Sequence, residues 1–367
     1  MRAAVLETGA TELVLRDDIA IEDPRPDEIM VRVHQCGICH SDLSMLQVGG
    51  GGRTPLVLGH EAAGVIEAVG SGVGDLHVGQ KVLISPLAPC GTCYWCVRDQ
   101  PTLCPEAQAF TSGLRPDGTS PLSSGDTCVH RGLGVGGFGE YTVVSARSVA
   151  PLSDDTPLEI ACVIGCAMQT GVGAVVNTAR VEPGATVLVT GLGGIGIAVV
   201  QGARLAGAGR IIASDPVAER RDAARHFGAT EVVDPTTDDV VAKVMADTGG
   251  IGVDYAFEAA GVAALVTTCL GAIRLGGTAV VVGADITLAT VEVMPVLMAT
   301  HGKRLIGTLL GDCHPRRDIP MLVELWRSGR LDLESMITHR LGLDDINEGF
   351  GLVRDAQGIR TVVSVAS

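Results

Sequence analysis

The stretch ATVLVTGLGGIGIAVVQGA, residues 185–203, decides the fold of this chain. Its first seven residues are mostly apolar and end in glycine, which is typical of a buried strand. Helical periodicity follows, so the glycines of GLGGIG lie at a turn from strand to helix. Gly191 permits a tight turn, Gly193 lets the backbone approach a pyrophosphate, and Gly196 lets helix and strand pack closely. The stretch therefore predicts a dinucleotide-binding turn.

The next strand, RIIASD, ends in Asp215, 19 residues after Gly196. A carboxylate there accepts hydrogen bonds from an adenosine ribose and repels a 2′-phosphate, so we expect NAD(H) rather than NADP(H). Arg220 either flanks the ribose or is a solvated helix residue. Strands keep alternating with helical segments, which predicts right-handed βαβ units and an α/β fold, a doubly wound parallel sheet, over residues 167–311.

Residues 1–165 have a different rhythm, with short β-rich segments such as EIMVRVHQCG and GVIEAVG between frequent glycine turns. This pattern favours a barrel-like β domain. The polar stretch 105–137 is interpreted as a long surface loop, and 315–330 as a helix. The tail is mixed and is expected to return to the first domain, so we assign residues 1–166 and 312–367 to it.

Four cysteines have metal-site spacing, C-x2-C-x2-C-x7-C. We found no signal-peptide pattern at the N-terminus, so we expect a cytoplasmic, reduced protein in which close-set cysteines bind metal. Four thiolates suit tetrahedral Zn²⁺ and leave no open coordination position. The alternatives are a disulfide and four unrelated thiols. The expected structural zinc ligands are Cys90, Cys93, Cys96 and Cys104.

A second set of ligand-type residues is spread over three segments, GICHSD, GHEAAG and GC, and consists of Cys39, His60 and Cys166. A catalytic zinc usually has three protein ligands and one open position. Two thiolates and one neutral imidazole balance the 2+ charge and leave the metal acidic enough to lower the pKa of a bound hydroxyl.

The composition limits the partners that this chain can have. Its net charge of −15 disfavours nucleic acid and anionic membranes as partners. The sequence scan finds no window of 18 uncharged apolar residues with membrane character. Hydrophobic residues make up 46% of the chain, which is enough for sizeable cores.

Together these motifs resemble the zinc-containing alcohol dehydrogenases of the medium-chain dehydrogenase/reductase superfamily. The similarity runs nearly end to end, through GHEAAGVIEAVGSG, CGTCYWC, IGCAMQTGVGA, GLGGIG and the tail ITHRL…INEGF…IRTVV. The stretch 105–137 is similar to that of longer, dimeric members, and GARLAGAGRIIASDPV is similar to actinobacterial members. The resemblance implies a Rossmann domain beside a β-rich, chaperonin-10-like catalytic domain, two zinc ions and NAD(H) per chain, and a homodimer.

The resemblance also implies individual roles. Ser41 touches the substrate oxygen and starts a proton relay, Asp42 orients the zinc-ligating histidine, and Glu61 lies behind the zinc. In many members a histidine that ends the relay stands where this chain has Ser44, so the relay must end in water or elsewhere. The implied coenzyme contacts are His40, Gly191, Gly193, Gly194, Ile195, Gly196, Asp215, Arg220 and Arg360.

The predicted function is reversible hydride transfer between NAD(H) and an alcohol or aldehyde, with a primary, bulky or hydrophobic alcohol as the expected substrate. One alternative is a formaldehyde dehydrogenase that oxidises the adduct of glutathione or mycothiol. Another is a metal-stabilised relative without catalysis. The run GGGG at 49–52 either widens a substrate entrance or forms a flexible turn.

Overall fold

The computed structural model describes residues 1–284 and 289–366 and divides into two compact units. The first unit comprises Met1–Cys166, His314–Gly329 and Leu333–Ser367, and the second comprises Ala167–Cys313 and Arg330–Asp332.

The second unit therefore extends beyond the predicted boundary at 311. The Cys313 thiol donates to the carbonyl of Gln169 at 3.1 Å, and the hydroxyl of Thr178 donates to Asp312 at 2.6 Å. Further along, the backbone of Asp332 exchanges hydrogen bonds of 2.8 and 3.0 Å with the side chain of Gln201. These contacts hold the two short segments to the second unit.

Within the described residues the strands, numbered in chain order, are β1 (Ala3–Leu6), β2 (Val14–Arg16), β3 (Ala20–Ile21), β4 (Glu28–Ile38), β5 (Leu56–Val57), β6 (Glu61–Val69), β7 (Lys81–Ile84), β8 (Leu122–Ser124), β9 (Thr127–Arg131), β10 (Tyr141–Ser145), β11 (Val149–Pro151), β12 (Thr186–Thr190), β13 (Arg210–Ser214), β14 (Glu231–Val233), β15 (Val253–Glu258), β16 (Ile273–Val281), β17 (Arg304–Gly307), β18 (Ile337–Gly342) and β19 (Arg360–Ser364).

The α-helices are α1 (His40–Gln47), α2 (Pro105–Gln108), α3 (Leu158–Val163), α4 (Gln169–Gly173), α5 (Gly194–Leu205), α6 (Ala218–Phe227), α7 (Val240–Asp247), α8 (Ala263–Ala272), α9 (Pro295–His301), α10 (Pro315–Arg327) and α11 (Ile346–Arg354). π-Helical turns cover Ile164–Met168 and Ala174–Ala179. Short 3-10 turns cover Gly49–Gly52, Cys96–Arg98, Pro101–Leu103, Ala109–Ser112, Gly132–Gly134, Ala146–Ser148, Leu310–Asp312, Glu334–Met336 and Leu343–Asp345.

The first unit contains two sheets around one apolar core. One sheet has the strand order β2-β1-β5-β9-β8-β3, and the other has the order β11-β7-β6-β4-β19-β18, with β10 also paired to β4. The rings of Phe138 and Phe350 meet edge to face in this core, 6.1 Å between centroids. The tail thus returns to the first unit as predicted, because β19 pairs with β4.

The stretch 105–137 is not the unstructured loop that its composition predicts. It contains α2 and the strands β8 and β9, which form an antiparallel pair. Arg115, only 4% exposed, makes two hydrogen bonds of 2.8 Å to the buried carboxylate of Glu28. Strands of three and five residues are too short for alternation to identify them, which is why the prediction was wrong.

The second unit contains a six-stranded parallel sheet in the order β14-β13-β12-β15-β16-β17. Counted from β12, this is the 3-2-1-4-5-6 order of a doubly wound Rossmann fold. Helices follow the strands as the alternating pattern predicts. Gly171 lets α4 lie against α5, because a Cβ on it would be 2.5 Å from the Cβ of Ala198.

A continuous helical stretch, Leu158–Ala179, is long and apolar enough to cross a membrane, with a mean hydropathy of 1.6. The expectation that the chain contains no such window was therefore wrong by length and composition. However, 89% of it is buried inside the protein, and the core helix of a soluble protein has the same length and composition. Its apolar character is therefore accounted for by packing.

Candidate active site

The pairing of β4 with β6 brings the first two predicted zinc ligands together. β4 ends one residue before Cys39, and β6 begins one residue after His60. The strands are antiparallel, with Gly37 opposite Glu61, so the end of one strand lies beside the start of the other.

Cys166 lies on the π-helical turn Ile164–Met168, which follows α3. α3 packs against β4, β6 and β7. A Cβ on Gly165 would be 3.3 Å from the carbonyl oxygen of Ile84 and 3.5 Å from the Cα of Glu61, so a glycine here allows the turn to approach the sheet. π-Helical turns are frequent at functional sites, and this one brings the third predicted ligand to the other two.

The three predicted ligands and Glu61 form one buried cluster. One ligand atom from each of Cys39, His60, Glu61 and Cys166 lies within 4.8 Å of the others. His60 Nδ1 is 3.1 Å from Asp42 Oδ1, whereas His60 Nε2 is buried without a hydrogen-bond partner. An imidazole that donates from Nδ1 and keeps Nε2 free is prepared to bind a metal, so this donor set fits zinc.

Asp42 fixes this geometry from a buried position. In addition to His60, its carboxylate accepts hydrogen bonds from the backbone N–H of Cys39 at 3.1 Å and of Gly59 at 3.0 Å. It therefore holds the backbone beside both first ligands. We expect the same contact to orient the imidazole.

The electrostatics of the cluster favour a cation. A hydrogen bond from the Cys166 thiol, and then the charge of His60, hold the pKa of Cys39 well below its usual value. The same hydrogen bond raises the pKa of Cys166. Burial lowers the pKa of His60, but Asp42 and Cys39 outweigh burial and raise it well above its usual value. Negative charge thus surrounds the imidazole.

Glu61 and Arg360 form an ion pair at the back of the cluster. Arg360 Nη1 lies 3.0 Å from Glu61 Oε1, and it donates to the carbonyl of Ile38 at 3.0 Å. Burial raises the pKa of Glu61 to about 7 in spite of the opposing charge of Arg360. Arg360 is 5% exposed and begins β19, which places it beside the cluster. Its implied role at the coenzyme stays a prediction.

The remaining catalytic candidates lie on α1. Ser41 is half-buried and His40 exposed in its first turn, and Ser44 is buried one turn later. The glycine run that follows is required by the backbone, because all four residues of Gly49–Gly52 have positive φ, between 58° and 81°. A run of left-handed residues needs glycine, so a defined turn explains GGGG better than simple flexibility does.

The four-cysteine lobe also fits zinc. One ligand atom from each cysteine lies within 4.8 Å of the others, and Cys90 Sγ is 3.9 Å from Cys96 Sγ. Two sulfurs bound to one tetrahedral zinc at about 2.3 Å are separated by about 3.8 Å, whereas a disulfide needs about 2.05 Å. The backbone N–H groups of Thr92 and Cys93 lower the pKa of Cys90 to about 6, which favours the thiolate.

Sequence reasoning missed the residue that ties this lobe to α10. Asp99 has a left-handed φ of 58° at the end of a 3-10 turn of the lobe. Its carboxylate accepts hydrogen bonds of 2.9 and 3.1 Å from Arg317 on α10. Arg317 also pairs with the buried Asp318, at 2.6 Å. A contact over 218 residues leaves no signal in local spacing.

The glycines of GLGGIG occupy the positions that the motif predicts. Gly191 has φ +85°, and a Cβ on it would be 2.7 Å from that of Ala260. Gly193 precedes α5 and has open space where a Cβ would be. A Cβ on Gly196 would lie 1.8 Å from the carbonyl oxygen of Gly191. The backbone of the turn is therefore accessible at Gly193, and the start of α5 packs closely against the turn at Gly196. Both features are typical of a phosphate-binding loop. Gly194 and Ile195 form the first turn of the helix.

Asp215 lies directly against this turn. Its carboxylate accepts hydrogen bonds from the backbone N–H of Leu192 at 2.7 Å and of Val217 at 2.9 Å. Arg220 is half-buried on α6. The neighbouring Arg221, which sequence reasoning missed, donates to the carbonyl of Asp215 at 2.7 Å and therefore fixes the segment that carries it.

Two further polar residues of the second unit were missed. Glu258, at the end of β15, accepts hydrogen bonds from the backbone N–H of Ala260 at 2.9 Å and of Val262 at 3.2 Å. It thereby shapes the loop beside Gly191. The hydroxyl of Thr170 on α4 is buried without a hydrogen-bond partner. Thr170 is a polar residue inside an apolar helical run, whereas Glu258 ends a strand, so local spacing singles out neither.

Two zinc-type clusters on a β-rich unit and a phosphate-binding turn on a doubly wound sheet define a zinc-dependent, nicotinamide-linked dehydrogenase. The family described as alcohol dehydrogenase GroES-like domain matches residues 25–154, and the family described as zinc-binding dehydrogenase matches residues 194–328. The chain is 37% identical to the S-(hydroxymethyl)glutathione dehydrogenase of Synechocystis sp., over 99% of both chains. It is also 37% identical to the enzyme of that name from Paracoccus denitrificans, again over 99% of both.

Solved structures agree with this similarity. An alcohol dehydrogenase zinc-binding domain protein from Burkholderia ambifaria superposes with a TM-score of 0.93 at 31% identity, covering 100% of this chain and 99% of the other. Benzyl alcohol dehydrogenase from Acinetobacter calcoaceticus superposes with a TM-score of 0.92 at 30% identity, with the same coverage. The chain therefore belongs to the zinc-dependent alcohol dehydrogenases of the medium-chain dehydrogenase/reductase superfamily, whose usual cofactors are zinc and NAD(H).

Loss of single ligands should separate the two zinc sites. Cys93→Ser should remove one zinc per chain and lower Tm by at least about 10 °C, because structural zinc ligation contributes on the order of 10 kcal/mol to folding. Cys166→Ser should also remove one zinc, but it should abolish turnover and leave Tm much less changed. Elemental analysis and thermal denaturation measure both effects. Equal loss of Tm in the two variants would contradict the assignment.

Proposed function

We propose that this chain catalyses the reversible, NAD-linked oxidation of a primary alcohol, with bulky or hydrophobic alcohols as the preferred substrates. The observation that carries the proposal is that His60, whose buried Nε2 has no hydrogen-bond partner, clusters with Cys39 and Cys166. Three protein ligands leave one coordination position for a substrate oxygen.

The residues of the cluster have distinct roles in this proposal. Cys39, His60 and Cys166 would hold the catalytic zinc, and the zinc would supply a Lewis acid that lowers the pKa of an alcohol hydroxyl. Asp42 keeps the proton of the imidazole on Nδ1 and so leaves Nε2 for the metal. The roles are consistent with the burial of all these groups, because water is excluded from the ligand atoms.

Ser41 receives the proton that leaves the substrate hydroxyl. It lies two residues after Cys39, in the first turn of α1. Ser44, on the same face of that helix, cannot titrate near neutral pH, so the proton passes to solvent. Because Ser41 follows a zinc ligand so closely in the chain, we assign the start of the relay to it.

The coenzyme is held by the second unit in this proposal. The loop Gly191–Gly196 binds the pyrophosphate, and Asp215 accepts a hydrogen bond from the ribose. Arg220 is a further expected contact of this unit, and the coenzyme roles that the resemblance implies for His40 and Arg360 stay predictions. A nicotinamide coenzyme held there would supply the hydride acceptor.

A second candidate function is the oxidation of an S-hydroxymethyl thiol adduct. It is favoured by the curated relatives, which are S-(hydroxymethyl)glutathione dehydrogenases at 37% identity. The benzyl alcohol dehydrogenase fold neighbour favours the first candidate. Both substrates present a primary hydroxyl to the same zinc, so the reacting groups cannot distinguish them.

A substrate panel tests both candidates. Benzyl alcohol, a long-chain primary alcohol and ethanol are compared, with NAD⁺ and with NADP⁺, against formaldehyde alone and formaldehyde with glutathione or mycothiol. We expect kcat/KM to be largest for the bulky alcohols with NAD⁺. An absolute requirement for one thiol would instead establish the second candidate. Failure of every substrate with a fully zinc-loaded protein would favour a non-catalytic relative.

The proton relay gives a sharper prediction. Ser41→Ala should lower kcat at least about tenfold, since positioned proton transfer contributes about 10²–10⁴-fold to such steps. Both zinc ions should stay bound, because the ligands are unchanged. Steady-state kinetics and metal analysis measure the two effects, with Ser44→Ala as the matched control, which should change kcat little. A kcat within about threefold of the original chain would remove Ser41 from the relay.

We infer further that the protein is a cytoplasmic homodimer. The inference is supported by β17, which lies at the edge of its sheet, and by the exposed apolar residues Met294 and Val296, 63% and 64% exposed. Unpaired strand edges and apolar patches favour association. Met294→Asp combined with Val296→Asp should give a monomer in analytical ultracentrifugation, whereas Val78→Asp, 57% exposed in the other unit, should leave the dimer intact. A monomeric original chain at micromolar concentration would contradict the inference.

A further inference from the structure

The carboxylate of Glu61 is enclosed on all sides. The residue is fully buried, and one of its oxygens lies within 4.8 Å of the ligand atoms of Cys39, His60 and Cys166. Oε1 faces Arg360 Nη1 at 3.0 Å, but neither oxygen has a partner in hydrogen-bond geometry. Glu61 is therefore a potential fourth ligand of a metal in this cluster.

Gly37 borders the other carboxylate oxygen. The two residues are opposite each other in the pairing of β4 with β6. A Cβ on Gly37 would lie 2.2 Å from Glu61 Oε2, 3.1 Å from Cδ and 3.2 Å from Cβ. Gly37 is not among the glycines with positive φ, so its backbone does not require glycine. Because Gly37 has no side chain, Oε2 of Glu61 occupies the space where a Cβ would be.

Any side chain at this position must displace the carboxylate. The register between the strands fixes the backbone of Glu61, so its carboxylate is the part that can move. The ion pair with Arg360 restrains Oε1. The polar groups that a displaced carboxylate could reach are those of the ligand cluster. Because a buried carboxylate without a polar partner is costly, the displaced carboxylate should turn toward that cluster.

We propose that Gly37 is a positioning residue that keeps the catalytic metal open. Its missing side chain forms a recess that holds Oε2 of Glu61 back from the metal, and a side chain at position 37 pushes the carboxylate into the open coordination position. This inference rests on the proposed function, because only an open metal site needs such a recess. It adds a determinant that lies outside the ligand motifs.

The test uses the full chain with Co²⁺ in the catalytic site and Zn²⁺ in the lobe. Imidazole is the probe, because it enters an open coordination position and changes the visible spectrum of a cobalt–thiolate centre. Gly37→Ala should weaken imidazole binding and lower kcat, each at least about tenfold, a change of about 1.4 kcal/mol. It should retain two metals per chain. Gly351→Ala is the control, because a Cβ there meets nothing within 4 Å.

A second substitution distinguishes coordination from distortion. Gln has the shape of Glu but is a poor zinc ligand, so Gly37→Ala with Glu61→Gln should bind imidazole as Glu61→Gln alone does. If Gly37→Ala does not fold, Gly37→Ala with Glu61→Asp should, since the shorter side chain leaves the recess.

Three results would overturn the proposal. The first is unchanged imidazole binding in Gly37→Ala. The second is a loss that persists in the double variant with Gln. The third is a double variant with Asp that also fails to fold. Imidazole binding needs no turnover, so an original chain that binds imidazole but oxidises no alcohol would refute the proposed function separately.

Discussion

The site depends on one register, the antiparallel pairing of β4 with β6 that places Gly37 opposite Glu61. Because strand residues alternate between faces, a shift by one residue would move Cys39 relative to His60 and reverse the side chains of either strand. The pairing of β19 on the other side of β4 adds Arg360 to the same place. Three segments that are distant in sequence thus meet through backbone hydrogen bonds, before any metal contributes.

The two zinc-type clusters shift the pKa values of their thiols in two different ways. In the lobe, Cys90 is stabilised by backbone N–H groups, and burial instead raises the pKa of Cys96 to about 12. In the buried cluster, thiols and charged side chains act on one another, and the pKa of Cys39 is lowered mainly by Cys166. A local turn is sufficient for the first arrangement, whereas the second requires the folded sheet. This difference agrees with a structural role for the lobe and a chemical role for the cluster.

The sequence revealed the parts of the protein that follow from local spacing. The glycine motif, the four-cysteine lobe and the alternation of strands with helices all predicted what the structure contains, because turn geometry and ligand spacing are local. The hairpin of β8 and β9, the bond from Arg317 to Asp99, and the contact of Arg221 with Asp215 were missed. Each of these depends on short strands or on partners that sequence distance does not reveal. The recess at Gly37 belongs to the same class, since only the strand register identifies what its missing side chain accommodates.

A buried carboxylate beside a three-ligand metal site presents a conflict. Its charge would compete for the open position, yet a neutral residue would leave the buried Arg360 without its ion pair, and an unpaired buried charge is costly. Glu61 resolves the conflict only if it is held between the arginine and the metal. Arg360 restrains one oxygen of Glu61, and the space at Gly37 accommodates the other. We infer that this restraint of position lets one buried site contain both an ion pair and an open metal.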